Sequence, residues 1–98
     1  MLIKIHSSCR TVVAVCDKEL IDKKFEEGNR QLDLTTTFFK GEVKDEQEAR
    51  EILENMHGED ATFNFVGKRS CNLAKELGII DDSFIINIQE IPIGLSLI

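Results

Sequence analysis

The sequence predicts an α+β protein: a single small domain in which a mixed sheet of about five strands, beginning with a hairpin, carries three packed helices. Three observations support this prediction. The 98 residues, 42% of them hydrophobic, can fill one core but are too few for two ordinary domains. Apolar residues alternate in some runs, as in strands, and recur at helical spacing in others. Helices fall between several of the strands, which is typical of a mixed sheet.

The chain begins with a predicted β-hairpin. Ile3 and Ile5 alternate with polar residues, residues 7–10 form the turn, and residues 12–15 are apolar without interruption. A strand that is apolar on both faces is typical of the interior of a sheet. We therefore expect the second strand of the hairpin to lie inside the sheet.

The first predicted helix follows this hairpin. Asp17 has the position of an N-cap for a helix over residues 18–27, and Gly28 with Asn29 provides its stop. The apolar side of this helix would consist of Leu20, Ile21 and Phe25. The alternating residues 31–34 then indicate a third strand.

The second predicted helix has the clearest local pattern. Asp45 and Glu48 have the spacing of a capping box, and residues 57–58 provide the end of the helix. Apolar residues at i, i+3, i+4 and i+7 form its buried side, namely Ala49, Ile52, Leu53 and Met56. We expect this helix to pack against the sheet.

The last third of the chain alternates between strand and helix. Residues 63–66 form a β-type run that stops at Gly67, and residues 68–77 have the spacing of a third helix. Alternation predicts a further strand over residues 84–89. The apolar residues 91–98 follow as a tail, which either packs on its own core or serves as a docking or interaction segment.

Composition limits the class of protein. Lys and Arg number 12 and Asp and Glu 18, so the formal net charge is −6, which disfavours a general coat for nucleic acid or membrane. No apolar run approaches the roughly 20 residues that span a bilayer. The first ten residues lack the apolar stretch of a signal peptide. We therefore expect a cytoplasmic protein with no membrane partner.

No residue pattern indicates catalysis, a metal or a cofactor. The cysteines Cys9, Cys16 and Cys71 cannot all pair within one chain and have no C-x-x-C spacing, so we expect reduced thiols. His6 and His57 lack a spaced set of further ligands. We expect no catalytic residue, no metal and no cofactor, and a small-molecule enzyme is the least favoured class.

Two segments carry an excess of basic residues although the chain is acidic. Residues 1–16 have two bases and no acid, and residues 61–80 have three bases and one acid. The basic residues are Lys4, Arg10, Lys68, Arg69 and Lys75. Gly67 turns the chain from strand to helix just before Lys68, where free N–H groups and the helix dipole favour an anion such as phosphate. Alternatively, Gly67 is only a turn and these charges are solvated.

Four segments, taken in order, resemble one archaeal family. They are CDKELIDKKFEEG, FFKGEV, NFVGKRSCNLAKELGII and the closing IQEIP, and the family is the domain of unknown function 424. The family pattern N-[LF]-V-G-[EK]-R corresponds to residues 64–69, and its Cys-Asp pair to Cys16 and Asp17. The closing segment keeps Pro92 but lacks the usual polar His and Gln. The resemblance implies an RNA-binding protein linked to translation.

The resulting hypothesis is a non-enzymatic binding module that contacts RNA or a ribonucleoprotein. Its contact residues would be Gly67, Lys68, Arg69, Lys75, Lys4 and Arg10. This hypothesis requires that the hairpin turn and the start of the third helix lie on one side of the fold. The alternative is a protein-interaction adaptor or homodimer that uses the last strand and the apolar tail.

Overall fold

A six-stranded mixed sheet forms the centre of the fold. The computed structural model describes residues 1–7 and 9–96. Its strands are β1 (Leu2–Ser7), β2 (Thr11–Cys16), β3 (Lys24–Glu27), β4 (Arg30–Asp33), β5 (Glu42–Val43), β6 (Ala61–Val66), β7 (Ile85–Ile88) and β8 (Ile91–Ser96), and its helices are α1 (Glu46–His57) and α2 (Lys68–Glu76). The large sheet has the order β5-β1-β2-β6-β8-β7, and β3 pairs with β4 in a separate hairpin. The β2–β6 pair is parallel, and the other pairs are antiparallel.

The sheet is covered on both faces, so the fold has three layers. On one face, α1 and α2 pack over a core that includes Val13, Val15, Leu53, Phe63, Phe65 and Leu73. On the other face, Leu32 and Leu34 of the β3–β4 hairpin and the loop after it pack against Ala14, Cys16, Val66 and Ile88 of the sheet. Burial of one such side chain contributes roughly 1.5–3 kcal/mol before conformational entropy is subtracted.

The predicted hairpin and its buried second strand are confirmed. β1 and β2 pair antiparallel, with Ser7 opposite Thr11 at the turn. All residues from 13 to 16 are fully buried, because β2 lies between β1 and β6 in the middle of the sheet. The uninterrupted apolar run therefore indicated the position of this strand correctly.

The capping box of α1 is also confirmed. The Asp45 carboxylate accepts a hydrogen bond from the Glu48 backbone N–H at 2.8 Å, and the Glu48 side chain accepts one from the Asp45 N–H at 3.2 Å. Ala49 and Leu53 are completely buried on the side that faces the sheet. The predicted helix thus begins and packs as its sequence pattern indicates.

The prediction of a helix over residues 18–27 is wrong. A 3-10 helix at Lys18–Leu20 is followed by β3, so the described residues contain two α-helices rather than three and eight strands rather than about five. The helical path ends at Ile21, whose backbone is extended with ψ of 148°, and Asp22 follows with a positive φ of 67°. Gly28, with φ of 61°, and Asn29 form the two-residue turn between β3 and β4 instead of a helix stop.

The chain after residue 90 continues as a strand of the sheet. β8 lies between β6 and β7 and pairs with both. Residues 97–98, the end of the predicted tail, lie outside the described part of the chain. The edge of the sheet on this side is therefore β7 rather than the tail.

Candidate functional site

The start of α2 contains three residues that the sequence assigns to RNA contact: Gly67, Lys68 and Arg69. Gly67 has φ of 108°, which lets the chain turn from β6 into the helix. Its backbone N–H donates to the carbonyl oxygen of Pro92 in β8 at 2.9 Å. The side chains of Lys68 and Arg69 are exposed at this turn.

The carboxylate of Asp17 caps this helix start. It accepts hydrogen bonds from the backbone N–H groups of Arg69 at 3.1 Å and Ser70 at 2.9 Å, and from the Ser70 hydroxyl at 2.7 Å. Asp17 is only 3% exposed. Two of the N–H groups at this helix start, those of Arg69 and Ser70, are therefore bound to a carboxylate of the chain itself and not free for a phosphate.

The parallel pairing of β2 and β6 brings Asp17 to this position. Cys16 lies opposite Val66, so that the residues after both strands meet at the same end of the sheet. The Asp17 backbone N–H donates to the Val66 carbonyl oxygen at 2.9 Å. Asp17 is thus a helix cap, as its residue type indicates, but for a helix about fifty positions further along the chain.

The other predicted contact residues are spread over the molecule. Arg10 precedes β2 and Lys68 follows β6, and the register of these strands places them at opposite ends of the sheet. The length of β2 separates these ends by roughly 17 Å, at about 3.3 Å per residue. Lys4 lies opposite Ala14, midway along β2. Lys75 forms an ion pair with Asp82 at 3.1 Å.

The predicted residues that come together are therefore Gly67, Lys68 and Arg69. They line a shallow cavity of about 290 Å³. Its other lining residues are Asp17, Glu19, Leu20, Glu90, Ile91 and Pro92. Because three acidic residues line this cavity beside the two basic ones, its charge does not favour a polyanion. RNA binding stays a prediction that depends on the exposed side chains of Lys68 and Arg69.

Two other residues with possible roles in RNA contact belong to the core. Phe63 and Phe65 alternate on β6, and their rings stack at a centroid distance of 5.7 Å. Both are almost completely buried, so neither can stack on a base. Phe63 and Phe65 therefore pack in the core and do not form a stacking surface for bases.

Two of the three cysteines are buried structural thiols. Burial, reinforced by Asp17, raises the pKa of Cys16 to about 12 and the pKa of Cys71 to about 11. Cys71 donates from Sγ to the carbonyl oxygen of Pro92 at 3.5 Å. Cys9 is exposed. Among the described residues, no group of three His, Cys, Asp or Glu could hold a metal ion.

Alkylation of the native protein is expected to modify one cysteine quickly and two very slowly. At pH 8, a thiol of pKa about 12 is ionised in roughly one molecule in ten thousand, and burial also blocks the reagent. We expect iodoacetamide to label Cys9 first, and all three cysteines after denaturation. Mass spectrometry of timed samples measures this order. Labelling of Cys16 as fast as Cys9 in the folded protein would contradict it.

The end of the sheet at β7 and β8 exposes an apolar surface, which we call the β7 surface. Phe84, Ile86 and Leu95 are 57%, 48% and 43% exposed, respectively. They line a depression of about 380 Å³ together with Ser83, Ile93 and Ser96. Glu90 is the only charged residue from Ser83 to Ser96. A search for charged or catalytic residues misses this surface, but the apolar character of residues 91–98 pointed to it.

Comparisons with known proteins are consistent with this fold. A family model described as "Protein of unknown function (DUF424)" matches residues 6–94. The crystal structure of an uncharacterized conserved protein from Methanopyrus kandleri has a TM-score of 0.85 and 19% sequence identity, covering 97% of this chain and 88% of that chain. At this identity, the likeness shows a shared fold alone. No curated protein matches the sequence significantly. Within the described residues, no helix has the length and apolarity needed to cross a membrane.

Proposed function

The chain belongs to the family of proteins of unknown function DUF424, as its resemblance predicted, and we propose that it is a non-enzymatic module that binds a protein partner along β7. The observation that carries this proposal is an uncharged edge strand next to an exposed apolar surface. Natural sheets usually protect such edges with charges, proline or a covering element, because an open edge pairs with other chains. β7, with the sequence IINI, has neither a charge nor a proline.

The backbone of β7 is oriented to accept another strand. The Pro92 carbonyl points away from β7, because it accepts a hydrogen bond from Gly67 on the β6 side. Asn87 lies opposite Pro92, so these two residues form a pair without mutual hydrogen bonds. In such an antiparallel pair, the backbone N–H and C=O of Asn87 point away from β8. The carbonyl of Ile85, two residues away, points outward in the same way, but the Ile85 N–H donates to the carbonyl oxygen of Asp82. β7 therefore offers the N–H and C=O of Asn87 and the C=O of Ile85 to a further strand.

The side chains beside this edge favour an apolar partner surface. Ile86 lies opposite Ile93, so both point to the same face of the sheet. Ile86, Phe84 and Leu95 are each more than 40% exposed on the β7 surface. Burial of this apolar surface would stabilise a complex by roughly 25 cal/mol for each Å² removed from water.

A protein partner fits this surface better than RNA does. RNA requires cationic side chains for its phosphates, and the β7 surface contains none. Strand addition requires only backbone groups and apolar contacts, both of which β7 provides. RNA contact through Lys68 and Arg69 is a separate prediction, and the double substitution by alanine tests it through RNA affinity at two salt concentrations.

Photo-crosslinking tests the proposed function. Benzoylphenylalanine at position 84 introduces a photoreactive aromatic group on the β7 surface, and the 57% exposure of Phe84 leaves room for the added benzoyl ring. We expect irradiation of cells that express this variant to give a discrete protein adduct. Phe38, an exposed phenylalanine elsewhere in the chain, is the matched control position.

Asn87→Pro provides a further control, because it removes the outward N–H of the edge without changing the residues that bond to β8. The adduct from position 84 is expected to disappear in this background. Absence of any adduct from position 84, or the same adducts from both labelled positions, would contradict the proposed function.

A further inference from the structure

We infer that the partner presents to β7 an extended segment with an apolar centre and a basic residue at each end. This inference rests on the proposed function, because it requires that β7 be an open edge. It goes further by naming the chemistry that selects the partner. Backbone groups and apolar side chains alone would accept many strands, and the charges around the two ends of β7 distinguish among them.

The free backbone groups of β7 determine the hydrogen bonds that the partner forms. They are the N–H and C=O of Asn87 and the C=O of Ile85, since the Ile85 N–H donates to the carbonyl oxygen of Asp82. A partner residue opposite Asn87 would exchange both of its N–H···O bonds with it. The partner N–H opposite Ile85 would donate one more. These bonds position the segment along β7.

The side chains of the edge select an apolar centre. Ile86 and Ile88 project to the face of the sheet that carries the β3–β4 hairpin. The hairpin packs against Ile88, which is 3% exposed, and leaves Ile86 48% exposed. A partner residue opposite Ile86 would project to the same face and cover it together with Phe84 and Leu95. An apolar residue at that position removes the most apolar surface from water.

Acidic residues lie directly before β7. Asp81 and Asp82 are exposed at the start of the short 3-10 helix Asp82–Phe84 that leads into the strand. The Ser83 hydroxyl and N–H donate to the Asp81 carboxylate and lower its pKa, so that this group is ionised at neutral pH. Lys75 pairs with Asp82 at 3.1 Å. One of the two negative charges at this end is therefore left without a paired base.

Acidic residues also lie directly after β7. Glu90 is exposed in the turn to β8. The hairpin adds two more, because the Glu27 carboxylate accepts a hydrogen bond from the Gln89 N–H at 2.9 Å and the Glu26 carbonyl accepts one from the Gln89 side chain at 2.7 Å. Arg30 lies opposite Glu27 in the hairpin. Acids thus outnumber bases at this end as well.

The balance of charge at the two ends favours a basic partner. Five acids stand there against three bases, which leaves a net charge of −2; the bases are Lys75, Arg30 and Lys68, the last of which shares a cavity with Glu90. The whole chain carries −6 and attracts cations at longer range. β7 spans about 13 Å at about 3.3 Å per residue, so basic residues about five or six positions apart reach both ends.

Fluorescence anisotropy with labelled synthetic peptides tests the chemistry of the partner. The probe has an alternating valine and threonine centre of about five residues with lysines at both ends, and its matched control has glutamates instead of the lysines. We expect the lysine peptide to bind the full chain about tenfold more tightly at low salt, and the ratio to fall towards one at high salt, which screens these exposed charges. Equal affinities at low salt would overturn the inference.

Two substitutions at position 87 test whether the lysine peptide binds at β7. Asn87→Pro removes the outward N–H and is expected to abolish binding, whereas Asn87→Ala, which keeps the N–H, should preserve it. Circular dichroism spectra like that of the native chain show that each variant is folded. Binding that Asn87→Pro leaves unchanged would overturn the inference.

A charge variant tests the acidic ends without changing the backbone. Glu27→Gln combined with Asp82→Asn removes one negative charge at each end of β7, and the glutamine retains an acceptor for the Gln89 N–H. Glu51→Gln combined with Glu54→Gln makes the same change in net charge at exposed positions of α1. We expect the first variant to weaken binding of the lysine peptide about fivefold more than the second. An equal loss in both would overturn the inference, because the overall charge alone would then account for binding.

The photo-crosslinking experiment separates this inference from the proposed function. Mass spectrometry of the adduct from position 84 identifies the partner segment. A segment with basic ends supports both. An uncharged or acidic segment overturns this inference and leaves the proposed function supported. Absence of any adduct contradicts the proposed function, and this inference falls with it.

Discussion

Gly67→Ala is expected to lower the free energy of unfolding by about 4 kcal/mol, of which the positive φ accounts for about half and steric overlap for the remainder. Gly67 has φ of 108°, a region that residues with a side chain rarely adopt. A Cβ there would also overlap the carboxylate and Cβ of Asp17, which is buried and held by its own hydrogen bonds. Chemical denaturation measures the change.

Gly28→Ala is the matched control for this substitution. Gly28 also has a positive φ, of 61°, but a Cβ there would have no atom within 4 Å. This variant should lose about 1 kcal/mol, from backbone strain alone. If both alanine variants have the same stability, steric overlap with Asp17 does not contribute at Gly67.

Asp17→Ala is expected to cost about 3 kcal/mol, because it removes a charged acceptor and leaves buried donors without a partner. These donors are the backbone N–H of Ser70 and its hydroxyl, with the N–H of Arg69 beside them. Asp17→Asn keeps one side-chain oxygen and should lose less. Denaturation measures the total effect, and hydrogen exchange of the Arg69 and Ser70 amides measures the local one. Unchanged exchange at both amides would contradict the cap.

The two substitutions should also be non-additive. The Ala side chain of Asp17→Ala lacks the Cγ and oxygen that a Cβ on residue 67 would meet. The double variant is therefore expected to be more stable than the sum of the single effects predicts, since part of the overlap is relieved. Strict additivity would show that residues 17 and 67 do not interact.

Local sequence patterns predicted the elements whose stabilising contacts are local. The capping box of α1 joins Asp45 to a residue three positions later, and the apolar run of β2 indicates burial on both faces. Both predictions are confirmed. The prediction of a helix over residues 18–27 failed because their apolar spacing suits a short helix as well as a turn and a strand. Packing over the sheet decided between these structures.

The candidate site was harder to predict because it depends on topology. The partner of Asp17 at the start of α2 is more than fifty residues away, so no local pattern shows the contact. Summed segment charges located the basic residues, but the parallel register of β2 and β6 separates Arg10 from Lys68. Only the strand order shows that β7, rather than the tail after it, is the edge.

The position of β8 has a consequence for synthesis on the ribosome. β8 emerges after β7 and yet lies between β6 and β7. A nascent chain that ends before Ile91 therefore has no strand that pairs with β7. During translation, the edge of β6 that later pairs with β8 is also open. Such a chain would be a target for chaperones and proteases until the missing strand leaves the exit tunnel.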